Sequence, residues 1–135
     1  MNKARIYGKI SLSQERLYMG QKIEIIREEI TLSKLREFLH QPFTDMVKFV
    51  ADVNRGVMAL GGEMHADAEE ILLNDGSSQA DLWGGNLYPD RGFEQKIQFE
   101  SLINIRPSQQ NNSLDIKDQG VRARVREIVR RLIEL

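Results

Sequence analysis

The sequence predicts an α+β domain: a mainly antiparallel sheet of about five strands, including two hairpins, covered on one face by two or three helices. Three observations carry this prediction. The β-rich runs MVKFVADV and VMALGGEM flank Asn54-Arg55-Gly56, a strong hairpin signal. Residues 118–135 set Val121, Val125, Ile128, Val129, Leu132 and Ile133 at helical spacing. Between these segments, runs with strand and helix character follow one another without an internal repeat or an inter-domain linker.

Taken in order, residues 1–20 are polar and aperiodic, and they read as an N-terminal arm ahead of a single domain over 21–135. KIEIIRE, from Lys22, suits a short strand. Thr31 then caps a helical stripe of Leu32, Leu35, Phe38 and Leu39 that stops before Pro42. In the hairpin that follows, Val47, Phe49, Ala51 and Val53 share one face. Asp67 is expected to be the N-cap of a helix of about two turns, ended by Asn74-Asp75-Gly76. DLWGGNLYP (81–89) and KIQFESLINIRP (96–107) predict a second hairpin through Asp90-Arg91-Gly92, each strand closed by a proline. The long C-terminal helix completes the order.

The chain has 135 residues, 41% apolar and 29% charged, which suits one folded domain with its own core. It has no cysteine, so disulfides, thiolate metal sites and cysteine nucleophiles are excluded. No apolar run approaches the ~20 residues that span a bilayer, and no signal-peptide pattern opens the chain, so a cytoplasmic protein is expected. A net charge of -1 argues against general nucleic-acid binding, which needs a basic surface. Homo-oligomerisation is compatible with this composition.

The phrases GGEMHAD, DLWGGNLYP and INIRPSQ, in this order and spacing, resemble a family of small prokaryotic domains of uncharacterised function. The likeness spans roughly residues 22–134. It implies a fold unit and brings no activity, substrate or catalytic residue with it. The family pattern further implies a glycine and an arginine after Pro-Ser-Gln, where this chain has Gln110, Asn111 and Asn112.

Glu63, His65 and Asp67 alternate with Gly62, Met64 and Ala66, so an extended chain would aim all three to one side as metal ligands or proton carriers. Against the metal stands the cap role expected of Asp67, and no metal or cofactor is expected. The chain also lacks a Gly-x-Ser-x-Gly elbow, a phosphate loop and a dinucleotide fingerprint. Gly61-Gly62 and Gly84-Gly85 fall in predicted strands, where glycine marks a bulge or a close approach. If those strands were neighbours, a groove edged by Trp83, Asn86, Tyr88, Asn104 and Arg106 would result, with Glu63 and His65 beside it.

The leading reading is therefore a module that binds a partner protein or a small ligand through that surface. The alternative is a small acid/base enzyme using His65 and Glu63 with Arg106 as the anion-stabilising group. A third reading is an RNA-binding or ribonuclease-like domain using Arg122, Arg124, Arg126, Arg130 and Arg131. These arginines spread over the whole non-core arc of their helix with Glu127 and Glu134 among them, the pattern of a solvated face.

Overall fold

The computed structural model of the protein describes residues 17, 18 and 20–135. The expected arm thus lies outside the described residues, apart from Leu17, Tyr18 and Gly20. Six strands form one antiparallel sheet: Leu17–Tyr18 (β1), Gln21–Ile26 (β2), Val47–Asp52 (β3), Val57–Gly61 (β4), Leu82–Leu87 (β5) and Ile97–Gln98 (β6). Their spatial order is β1-β2-β4-β3-β5-β6, so the β3–β4 hairpin lies at the centre. β2 lies along its β4 side and β5 along its β3 side.

The helices are Leu32–Arg36 (α1), His65–Asn74 (α2) and Gln119–Leu132 (α3). α1 starts where expected, with Thr31 Oγ1 accepting from the Lys34 amide at 3.0 Å. Asp118 Oδ1 caps α3 by accepting from the Val121 amide at 3.0 Å. The stripe on α3 is buried at Val125, Ile128, Val129 and Leu132, as its spacing predicts.

The helices do not all lie on one face of the sheet, which corrects the sequence reading. Phe49, Met58 and Leu60 pack with Leu35 and Phe38 from the α1 segment and with Val125, Ile128 and Leu132 of α3. Ile23, Val50, Ala59 and Leu82 point the other way and pack with Ala68 and Leu72 of α2. The cause is visible in β3 and β5. Both alternations of these strands are almost wholly buried, Lys48, Asp52 and Asn86 included, and a strand buried on both sides needs cover on both.

Two boundaries also differ from expectation. Asp67 is not the N-cap of α2; Met64 occupies that position and its side chain makes no capping bond. The chain leaves β4 through Gly61 (φ 104) and Gly62 (φ 92), and this turn starts the helix three residues early. Gln21 holds the junction, accepting from the Glu63 amide at 2.6 Å and donating to Asp67 Oδ2 at 3.0 Å.

The expected strand over 96–107 shrinks to Ile97–Gln98. Ser101 Oγ then accepts from the Ile103 amide at 3.2 Å and opens a tight turn at Leu102–Asn104; a second turn follows at Pro107–Gln109. Asn104, fully buried, takes over the ladder through its side chain. Its Oδ1 accepts from the Gly84 amide at 2.9 Å, and its Nδ2 donates to the Gly84 carbonyl at 3.0 Å and to the Leu114 carbonyl at 3.0 Å. One amide side chain thus serves both polar groups of Gly84 as a neighbouring strand would.

Candidate functional site

The start of α2 and the facing ends of β3 and β5 border a cleft of about 490 Å³. Its polar lining comes from Lys48, Glu63, His65, Asn86, Glu100 and Ser101. Lys48 of β3 is paired directly with Asn86 of β5, so both side chains leave the sheet on the α2 side. His65 lies above them because Gly84 has no side chain. A Cβ there would stand 3.1 Å from His65 Cδ2 and 2.8 Å from Ser101 Oγ.

His65 is buried, 7% exposed, and its Nε2 lies 2.7 Å from the Gly85 carbonyl oxygen. Burial, helped by the positive charge of Lys48, pushes its pKa down to about 4 against the opposing hydrogen bonds of the Gly85 carbonyl and Asn86. The ring is therefore neutral at pH 7. A carbonyl only accepts, so Nε2 carries the single proton and Nδ1 holds the lone pair.

Asn86 donates through Nδ2 to Gln98 Oε1 at 2.8 Å and to the Glu100 carbonyl at 3.4 Å. Its own Oδ1 is buried without a hydrogen-bond partner. Such an orphan acceptor is uncommon in a folded interior and calls for a donor from outside the domain's own hydrogen bonds. The rim of the cleft is apolar. Met64, Leu102 and Leu114 line it and are 56%, 72% and 43% exposed.

Glu63, His65 and Asn86 are thus brought together, whereas the other expected site residues are not. Trp83 leaves β5 on the α3 side, among the core residues there. Tyr88 lies past the end of β5 and donates to Gln98 Oε1 at 3.2 Å, under the guanidinium of Arg91. Asn104 is the ladder substitute already described. The two glycine pairs form no common groove, because β3 separates β4 from β5.

Arg106 lies toward the opposite end of β5. It donates to the carbonyls of Ile103 (3.0 Å), Gln79 (2.9 Å) and Leu82, and to Gln109 Oε1 (3.2 Å), with its guanidinium over the Trp83 ring. Leu82 and Asn86 are four residues apart on one strand, about 13 Å at 3.3 Å per residue. Burial lowers the Arg106 pKa, and Glu69 rather than any cleft residue opposes this. Replacing Arg106 by Ala is accordingly expected to leave the NMR titration of His65 in place. A shift of that midpoint by half a pH unit or more would put the guanidinium in electrostatic reach of the cleft.

Glu63, His65 and Asp67 do not share one side, and among the described residues no three His, Cys, Asp or Glu side chains converge as ligands. His65 and Asp67 are helical, so about 200° of rotation separates them instead of a shared strand face. His40 (φ 65) lines a separate pocket of about 320 Å³ that meets the cleft only through Glu63.

The arginines of α3 are engaged within the domain. Arg122 and Arg126 cover the Phe99 ring and Arg130 the Phe93 ring, while Arg124 and Arg131 donate to the carbonyls of Val53 and Gly56. One cluster escaped the sequence reading. Asp52, fully buried, accepts from the Asn54 and Arg55 amides and from Ser77 Oγ, while Arg55 pairs with Asp75, tying the hairpin turn to the end of α2. Asp at the turn was its only local signal.

The protein is a three-layer α+β domain with a polar cleft where its middle helix begins. Residues 24–132, most of the chain, match the family described as protein of unknown function (DUF5674), and the chain belongs to that family. All three phrases GGEMHAD, DLWGGNLYP and INIRPSQ fall inside the match. Comparison with curated proteins and with solved structures finds no match. Among the described residues no helix is long and apolar enough to cross a membrane.

Proposed function

We propose that this protein is a binding module whose ligand enters the cleft between the start of α2, the ends of β3 and β5 and the turn at Leu102–Asn104. The observation that carries this reading is the buried Asn86 Oδ1, which makes no hydrogen bond of acceptable geometry and belongs to a residue that lines a cleft with an apolar rim. Largely preformed ligand sites combine these features: a mostly apolar surround and a few fixed polar groups, in volumes of roughly 300–1,000 Å³. The acid/base alternative keeps Glu63 and His65 in the cleft but is deprived of its anion-stabilising group, since Arg106 is fully engaged elsewhere. Binding is the simpler use of what remains.

A fragment screen read by amide NMR shifts tests this. Hits are expected to perturb residues 63–66, 86 and 100–103 as one set, and Asn86→Leu is expected to remove them from a variant that keeps its dispersed spectrum. Hits that cluster elsewhere, or that survive Asn86→Leu unchanged, would sink the reading.

A further inference from the structure

Two buried acceptors of this cleft have no donor. Asn86 turns its Nδ2 to Gln98 Oε1 and to the Glu100 carbonyl, and because a carbonyl only accepts, the unpartnered end of the amide is Oδ1. His65 supplies the second. Its Nε2 proton goes to the Gly85 carbonyl, which leaves Nδ1 with a lone pair and no hydrogen bond among the described residues. Both residues are 7% exposed, and both line the cleft. Asn86 is near enough to the ring to favour its protonated form, but that form is scarce at pH 7, so the domain places no proton of its own between the two.

Charge and hydrogen count narrow what can bring the missing protons. An ammonium is drawn by Glu63 and Glu100, but against Asn86 it would stand beside Lys48, the direct partner of Asn86 across β3 and β5 and itself a cation whose pKa burial already lowers. A carboxylate fails differently. It has no hydrogen for either acceptor, and both glutamates repel it. An alcohol brings one hydrogen for two acceptors. Resting on the binding reading above, we propose that the cleft takes a primary carboxamide carried on an apolar group, its two N–H bonds directed to Asn86 Oδ1 and His65 Nδ1 and its carbonyl to Lys48 Nζ. The exposed side chains of Leu102 and Leu114 cover the apolar part. A free aliphatic amide and the side chain of a glutamine in an apolar peptide both present this chemistry.

Titration with hexanamide, followed by the His65 ring signals and the Asn86 side-chain amide signals, tests the proposal. Saturable shifts are expected, and hexanoate, hexylamine and hexan-1-ol, equal in chain length, are each expected to bind at least about tenfold more weakly. A second pair isolates the hydrogen. N-methylhexanamide and methyl hexanoate differ only by an oxygen in place of N–H, and the amide is expected to bind the more tightly. Lys48→Met is expected to weaken hexanamide and to strengthen hexylamine, a reversal that loss of the fold would not produce. To separate the two sources, acetyl-Leu-Gln-Leu methylamide is compared with its methionine analogue. A glutamine peptide that binds more tightly than both its analogue and hexanamide marks a peptide partner, and one that does not marks a free amide. If hexylamine or hexanoate saturates these signals and hexanamide does not, the cleft binds ligands but the carboxamide assignment is wrong. Equal affinity for N-methylhexanamide and methyl hexanoate, or saturation by none of these probes, overturns the assignment as well; the fragment screen then decides separately whether the cleft binds at all.

Discussion

Asn104→Asp is expected to abolish the cooperative melting transition. The wild-type side chain donates two hydrogen bonds to carbonyls and accepts one from an amide, all in a fully buried position. An aspartate keeps the acceptor but sets a carboxylate against the carbonyls of Gly84 and Leu114. Each lost buried bond costs about 1–3 kcal/mol, and the unpaired charge adds to that, against a total stability of roughly 5–15 kcal/mol. Asn104→Ala, which leaves three backbone groups without partners but buries no charge, should cost about 3 kcal/mol or more. Urea denaturation of both variants decides the matter. A loss below about 1 kcal/mol in the alanine variant would show that the side chain does not replace a strand.

Acidification from pH 6.5 to pH 4 is expected to remove about 3 kcal/mol of stability through His65 alone, since one pKa unit corresponds to about 1.4 kcal/mol. The sign follows from the burial of a neutral ring. The unfolded chain binds a proton near pH 6.5, whereas the folded ring does so only near pH 4. Within that window the unfolded state holds more protons and gains on the folded one as pH falls. The contribution is complete above pH 6.5 and gone below pH 4. Lys48, Glu63 and Glu100 face the ring in the cleft, so their own titration must be separated from it. The difference between wild type and His65→Gln, measured at pH 7, 5.5 and 4, does so. Parallel stability curves for the two proteins would mean that the ring is charged or solvated in the folded state.

The parts of the fold that were legible in the sequence are those set by local periodicity. The α3 stripe, the Thr31 cap and the Asn54-Arg55-Gly56 turn each depend on residues within one or two turns of each other. What was not legible depends on partners distant in the chain. Nothing near Asp67 shows that Gln21, more than forty residues away, bridges it to the helix start. Nothing near Asn104 shows that its side chain completes a strand and so ends the regular alternation after Gln98. The cleft was half legible. Glu63, His65 and Asn86 were named, but period-two alternation on β5 already places Trp83 and Asn86 on opposite faces, a conflict the proposed groove overlooked. Lys48 gave no signal by itself, since its place across from Asn86 comes from strand register.

The central position of the β3–β4 hairpin sets an order of events for the folding chain. Its two strands are joined by a tight turn and pair over a short loop, a step that takes microseconds in isolated hairpins. β2 and β5 must each close a loop of about thirty residues to reach the hairpin's two open sides, at a higher entropic cost. Destabilising changes in the hairpin should therefore slow folding, while those on β5 or in the turn after Ser101 should chiefly speed unfolding. The cleft straddles that second seam. A bound ligand would then act on the lifetime of the folded protein, holding the later-docking flank in place, and would leave the rate of its formation almost unchanged.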